Sequence, residues 1–201
     1  MFQRQALVIG NDNYRVKPRR TCVNDANDMS FALSKIGFIT HSATNLDSYR
    51  MPLRINRFIE SIEPNAIVLV YFSGLAVQHD GKTYLMPIDN AWISPDNIGQ
   101  SAYNAEDIIA LMHTKGPRAV ILILDGARPI QNLVGETPFF AKETLGLLQG
   151  FEPIRPPPST IIANSCEAGA KFFGLADNYR NSIYTYHLLR YITKPNIDID
   201  T

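Results

Sequence analysis

The feature that most constrains this chain is a short apolar run that ends in a single carboxylate. The run covers residues 119–125 (A-V-I-L-I-L-D), and Gly126-Ala127-Arg128 follow it. A run this short and rich in β-branched residues predicts a parallel strand that is covered on both faces. Open α/β sheets bind ligands at the carboxyl ends of their strands. We therefore expect a site at Asp125 and the residues after it.

A second apolar run, residues 66–72, ends in the same way and is followed by Ser73-Gly74-Leu75-Ala76. Hydrophobic periodicity predicts other strands at residues 5–9, 38–44, 81–88 (a hairpin arm) and 159–163, and helices at 24–36, 51–62, 105–113 and 181–192. Strands that alternate with helices predict a doubly wound, mostly parallel α/β sheet flanked by helices. We expect a single domain over residues 1–201, with a long irregular stretch at 129–158.

The composition is that of an ordinary globular domain without a charge excess. Of the 201 residues, 45% are hydrophobic and 19% are charged, and the formal net charge is zero. This balance gives no support for binding nucleic acid or a membrane through bulk charge. The chain starts directly with a predicted strand, so we expect no signal peptide. Two cysteines, Cys22 and Cys166, make no disulfide framework, which favours inert core thiols and a cytoplasmic location.

Common cofactor and nucleophile motifs are missing from the sequence. Gly10 is followed by Asn-Asp-Asn-Tyr, so the dinucleotide motif G-x-G-x-x-G fails, and no phosphate-binding P-loop is present. A hydrolase elbow would need glycine two places before Ser73, where Tyr71 stands. The four histidines are scattered, without metal-ligand spacing. We expect neither a cofactor nor a metal.

Six short segments share an order and a spacing that are more specific than any one of them. They are 6–11 (A-L-V-I-G-N), 23–26 (V-N-D-A), 71–74 (Y-F-S-G), 84–89 (Y-L-M-P-I-D), 124–128 (L-D-G-A-R) and 181–184 (N-S-I-Y). Together they resemble the caspase-like cysteine peptidases, and among these the paracaspase branch. The resemblance implies a large-subunit-like part at 1–128, the loop 129–158 and a small-subunit-like part at 159–201. It also implies that the last part lacks the family's final helix and edge strand. We therefore expect a mainly monomeric chain, and dimers for a longer natural protein.

The two catalytic positions depart from the family pattern. The family has Ser-Gly-His-Gly at the segment that is Ser73-Gly74-Leu75-Ala76 here, so Leu75 stands in place of its histidine. The family has Leu-Asp-x-Cys-Arg at residues 124–128, so Ala127 stands in place of its cysteine. The chemistry needs a thiolate to attack the carbonyl and an imidazole to carry the proton. Leucine and alanine do neither, so the resemblance implies no cleavage by the family mechanism. His79 and Ser73 are the residues nearest in sequence that could replace the base or the nucleophile.

The resemblance also implies a substrate-binding pocket, because paracaspases hold a basic residue with acidic side chains. Two of those acids correspond to Asp25 and Asp125, and a third corresponds to Lys171, which reverses its sign. Two other roles stay open. Asp25 could stabilise a helix N-terminus, and Asp125 could be a strand-end hydrogen-bonding residue. Arg155 is an internal side chain that could occupy the pocket.

These observations predict a catalytically inactive pseudopeptidase that works as a scaffold or regulator. Its partner would be a protein or a peptide, with basic residues if the acids are used. The alternative is an active endopeptidase that cleaves after arginine or lysine and whose nucleophile has been replaced at position 127. A hydrolase with an unrecognised nucleophile is a further alternative.

Overall fold

The structure is a computed structural model that describes residues 2–15, 18–127, 154–165 and 175–195. Within these residues the strands are β1 Arg4–Gly10, β2 Ile39–Thr44, β3 Ile67–His79, β4 Lys82–Leu85, β5 Tyr103–Asn104, β6 Ala119–Ala127 and β7 Thr160–Asn164. The helices are α1 Cys22–Lys35, α2 Arg50–Glu60, α3 Ile98–Ser101, α4 Ala105–His113 and α5 Ile183–Tyr191. No described helix is long and apolar enough to cross a membrane.

The described strands form one mostly parallel sheet. Five of them lie side by side in the order β2-β1-β3-β6-β7, and every pairing between them is parallel. The short strand β4 pairs antiparallel with the last residues of β3, Ala76 to His79, and β5 pairs antiparallel with β4. The predicted doubly wound, mostly parallel α/β fold is therefore confirmed.

Helices cover both faces of the sheet because successive strand side chains point to opposite sides. On one face, α2 and α4 pack residues such as Ile55 and Ile108 against Val70 and Leu122. On the other face, α1 packs Met29 and Leu33 against Ala6, Val8 and Tyr71, and α5 joins them with partly buried side chains. The central strands are buried on both sides, which is why their sequences are continuous apolar runs.

The ends of the two central strands differ from prediction. β3 continues to His79, seven residues beyond the predicted end at Phe72, and β6 continues to Ala127. The extension of β3 has partners on both edges, because Ala76 pairs with Leu85 of β4 and with Ala127 of β6. The residues Ser73 to Ala76 therefore lie inside the sheet and not in a loop after it.

Smaller differences concern the segments between the main elements. His79 ends a strand, and the turn that follows is Asp80-Gly81, both with positive φ as in a tight hairpin. The short elements α3 and β5 carry no periodic signal and were not predicted. Residues 154–158 contain no helix or strand, as expected from their prolines. The rest of the predicted loop at 129–158 lies outside the described residues, as do Lys171 and Cys166.

Candidate functional site

The two positions that resemble the catalytic pair lie on neighbouring strands, β3 and β6. Ser73 pairs with Asp125, Ala76 pairs with Ala127, and the register shifts between these two pairs. The shift depends on a close backbone approach, because a Cβ added to Gly126, at φ 127°, would lie 1.9 Å from the Gly74 carbonyl oxygen. Only glycine fits such a contact and such a φ. The backbone therefore continues as a paired sheet through the segments that resemble the family's catalytic positions.

Leu75 is fully enclosed by apolar neighbours. Its side chain is 2% exposed and belongs to a cluster with Tyr14, Val77 and Met86. Its backbone N–H donates to the Tyr14 hydroxyl at 2.7 Å, and that hydroxyl donates to the Met86 carbonyl at 3.2 Å. The position that resembles the family's histidine therefore holds a packed core side chain.

His79, the predicted alternative base, lies far along the same strand. It is four residues beyond Leu75, which corresponds to roughly 13 Å in an extended strand. Its ring Nε2 is 3.4 Å from the Asp80 carboxylate, at the exposed hairpin turn. The structure therefore does not bring His79 to the pairing of Ala76 with Ala127.

The two predicted binding acids are buried, and they share a hydrogen-bonding partner. Asp25 comes from the first turn of α1 and Asp125 from β6, and they are 0% and 2% exposed. One residue joins them: the Ser182 N–H donates to Asp25 Oδ1 at 3.0 Å, and the Ser182 hydroxyl donates to Asp125 Oδ2. We call Asp25 and Asp125 the acid pair.

Further donors complete most of the acid pair's hydrogen bonds. Asn181 Nδ2 donates to Asp25 Oδ1 at 3.1 Å, and the Ser73 hydroxyl donates to Asp25 Oδ2 at 3.2 Å. The Thr185 hydroxyl donates to Asp125 Oδ2 at 2.5 Å. Asp125 Oδ1 is buried and accepts no hydrogen bond from the described residues. The acid pair therefore keeps one acceptor atom open.

Burial weakens the acidity of both groups. Burial, and after it the charge of Asp125, raises the pKa of Asp25 to about 7, against the lowering effect of hydrogen bonds from Ser182, Asn181 and Ser73. Burial also raises the pKa of Asp125, although the hydroxyls around it, including that of Ser165, oppose the shift. No cation contacts either carboxylate among the described residues, so desolvation dominates.

Arg19 and Cys22, just before and at the start of α1, are both withdrawn from solvent to some extent. Arg19 is partly buried, and its Nε has no hydrogen-bond partner among the described residues. Burial lowers the pKa of Arg19, while Cys22, Tyr14 and Asp12 oppose that shift. Cys22 is buried as expected, and burial raises the pKa of its thiol to about 12.

The residues of the site that sequence reasoning missed come from the start of α5. Asn181, Ser182 and Thr185 contact acids that precede them by 57 to 156 residues, which no local pattern encodes. A partial signal existed in Ser182, because serine before an apolar helix is a typical N-cap. Its hydroxyl does accept from the Thr185 N–H, at 3.0 Å.

A mostly parallel sheet of this order, covered by helices on both faces and with its site between β3 and β6, defines a caspase-like α/β domain. The caspase domain family, peptidase C14, matches residues 3–200, and the chain belongs to this family. The predicted resemblance to caspase-like peptidases is confirmed at this level, and the closer likeness to paracaspases stays a prediction.

Solved structures of low sequence identity share the fold. Protein GSU0716 from Geobacter sulfurreducens has a TM-score of 0.63 at 14% identity, over 94% of this chain and 81% of that chain. Caspase-1 from Spodoptera frugiperda has a TM-score of 0.57 at 16% identity, over 94% of this chain and 69% of that chain. A structure of pro-sf-caspase-1 has a TM-score of 0.55 at 16% identity, with the same coverage. The comparison with curated proteins returned no match.

Proposed function

We propose that this protein is a non-catalytic caspase-like domain that acts by binding a protein or peptide partner, as a scaffold or regulator. The observation that carries the proposal is the packing of Leu75 in an apolar cluster, at the position that resembles the family's histidine. Ala127 stands where the family has its cysteine. With neither an imidazole nor a thiol at these positions, the thiolate mechanism has no base and no nucleophile.

The other reactive side chains near the site are poorly suited to replace them. Cys22 is buried, and a thiol with a pKa of about 12 carries almost no thiolate at neutral pH. His79 lies at the hairpin turn, roughly 13 Å along the strand from Leu75. The Ser73 hydroxyl donates a hydrogen bond to Asp25, and no imidazole contacts that hydroxyl among the described residues. These observations favour binding over catalysis.

The binding part of the proposal uses the acid pair. Two carboxylates suit the planar fork of a guanidinium, which forms strong, charge-assisted hydrogen bonds. Asp125 Oδ1 is a buried acceptor without a donor among the described residues, and such a group would satisfy it. Arg155 is exposed and makes no ion pair with either acid among the described residues. We therefore propose that an arginine of a partner, and not Arg155, is the basic group recognised.

A peptidase assay tests the inactive state directly. Fluorogenic peptides ending in arginine, lysine or aspartate are incubated with the purified protein, and the release of fluorophore is compared with a matched buffer blank. We expect the two rates to be equal. Turnover above the blank that disappears in Ser73→Ala, His79→Ala or Cys22→Ala would contradict the proposal and identify the nucleophile or the base.

A further inference from the structure

The acid pair is already engaged by the chain's own residues 180–185, which we call the α5 latch. We infer that the α5 latch is an internal occupant of the acid pair, and that a basic ligand binds there only by displacing it. This inference rests on the proposed function, since it concerns the regulation of the same site.

The latch is attached to α1 at its first residues. The Arg180 guanidinium donates two hydrogen bonds of 2.8 Å to the Asp28 carboxylate. Asn181 Nδ2 lies between two acids, 3.1 Å from Asp25 Oδ1 and 3.0 Å from Asp28 Oδ2. Asn24 Nδ2 donates to the Arg180 carbonyl at 3.3 Å. These bonds hold the latch along one side of α1.

The latch reaches the central strands through the first turn of α5. Ser182 caps the helix and donates to Asp125. The Thr185 hydroxyl also donates to Asp125, and it forms a second hydrogen bond with the Tyr71 hydroxyl. The positive end of the helix dipole therefore faces the acid pair. Thr185 is the only buried residue of α5 itself, and the helix otherwise packs with partly buried side chains. An element with a single fully buried residue separates from the sheet at a lower free energy than the core strands, which are buried along most of their length.

The latch and a basic ligand would satisfy the acids unequally. The latch gives the acid pair neutral donors only, because its one cation, Arg180, pairs with the more exposed Asp28. Among the described residues no cation contacts either acid, and no group donates a hydrogen bond to Asp125 Oδ1. A guanidinium would supply both a positive charge and a donor to this atom. The ligand therefore forms an ion pair and a hydrogen bond to Asp125 Oδ1 that the latch does not form, and these two interactions favour displacement of the latch.

The test compares two arginine deletions at opposite ends of α5. Arg180→Ala removes the exposed ion pair that fastens the latch and leaves both acids intact. Arg190→Ala is the matched control, because Arg190 lies in the last turn of the same helix. An acetylated tripeptide amide ending in arginine, and its glutamine counterpart, are titrated by calorimetry into the full chain. Hydrogen exchange of the α5 amides is measured in parallel.

We expect Arg180→Ala to bind the arginine peptide about tenfold more tightly than the wild type, because a larger fraction of the chain is then open. Arg190→Ala should bind like the wild type, and the glutamine peptide should not bind measurably. In the wild type, saturating arginine peptide should accelerate exchange in α5. Asp125→Asn in the Arg180→Ala background should bind the arginine peptide more weakly than Arg180→Ala itself, because one of the two binding carboxylates is then absent.

Faster α5 exchange in Arg180→Ala without any gain in arginine affinity would overturn the inference, and the acid pair would then be a structural anchor. If Arg180→Ala leaves α5 exchange unchanged, Asn181→Ala is added, and an unchanged affinity in that double variant overturns it equally. Peptidase turnover would be a different result, since it would refute the proposed function and leave the competition at the acid pair intact.

Discussion

At the scale of single residues, the junction of β3 and β6 depends on Leu75 and Gly126. Leu75 fills an apolar cluster in which the polar atoms nearby, the Tyr14 hydroxyl and the Met86 carbonyl, already bond to each other. Gly126 allows two backbones to approach more closely than any side chain permits. Substitutions at these two residues therefore act first on packing and backbone geometry.

Leu75→His should lower the free energy of unfolding by about 2–4 kcal/mol, because it loses buried apolar contacts and places an imidazole where no partner is free. Leu75→Met is the control, since a swap that conserves volume usually costs less than about 1.5 kcal/mol. Urea unfolding of both variants measures the difference. Equal stability of the two would mean that the cluster around Leu75 is open to solvent.

Ala127→Cys alone should stay inactive, because no imidazole lies at the position of Leu75 to activate the new thiol. The triple change with Leu75→His and Ala76→Gly has to overcome the packing cost just described before any cleavage after arginine can appear. The fluorogenic assay measures both variants. Activity in the single variant would show that another base serves this position.

At the scale of elements, the pairing of β3 with β6 turns the predicted loops into sheet. The antiparallel partner β4 keeps β3 extended to His79, and the close contact of Gly74 with Gly126 accommodates the register shift between the strands. The same pairing brings Asp125 toward α1, where α5 contacts it. Strand pairing and helix docking are therefore coupled at this place.

Gly126→Ala should destabilise the protein by several kcal/mol or prevent folding, since its Cβ would lie 1.9 Å from the Gly74 carbonyl oxygen. Gly116→Ala is the matched control: Gly116 also has a positive φ, of 65°, but an added Cβ meets nothing within 4 Å. Only backbone strain of about 1 kcal/mol is expected there. Thermal unfolding of both variants checks the contrast, and similar melting temperatures would contradict the close approach.

At the scale of the whole molecule, the buried carboxyls of the acid pair connect α1, β6 and α5, and no cation contacts them among the described residues. Their folded-state pKa values are raised, so the native state binds more protons than the unfolded chain in the window between the two pKa values. The free energy of unfolding that they contribute is therefore fully present at low pH and is lost as the pH rises. The hydrogen bond from Arg180 lowers the pKa of Asp28, so the free energy of unfolding that Asp28 contributes increases as the pH rises, and it does so at lower pH.

The free energy of unfolding of the wild type should therefore fall between about pH 4 and pH 7, with Asp25 contributing a slope of up to about 1.4 kcal/mol per pH unit. The window follows from its pKa, which rises from 3.8 to about 7. Glu106 adds a slope of the same sign, because burial also raises its pKa. Asp25→Asn keeps the size of the side chain and removes its titration, so denaturant unfolding across this range isolates its share. A variant with the full wild-type slope would show that Asp25 stays ionised.

Local patterns were sufficient to predict most of the fold. Apolar runs and helical periodicity located the central strands and the long helices, because burial of a strand or of one helix face imposes a repeat on the sequence. The same patterns predicted the ends of β3 and β6 too early, since a strand extends as far as it finds a partner, and β4 is such a partner. Leu75 and Ala127, at the positions that resemble the family's histidine and cysteine, can also be read from the sequence, and the loss of catalysis that they imply stays a prediction.

The state of the acid pair was decided only by the tertiary structure. Asp25 and Asp125 could be assigned to one pocket from the resemblance, but their burial and their bonds to Ser182 depend on a helix that follows Asp25 by more than 150 residues. Contacts between residues so distant produce no periodic pattern in the sequence, because tertiary packing and not the neighbouring sequence determines which residues meet. For the same reason, the sequence indicated Arg155 as an occupant of the pocket, while the fold places the first turn of α5 there.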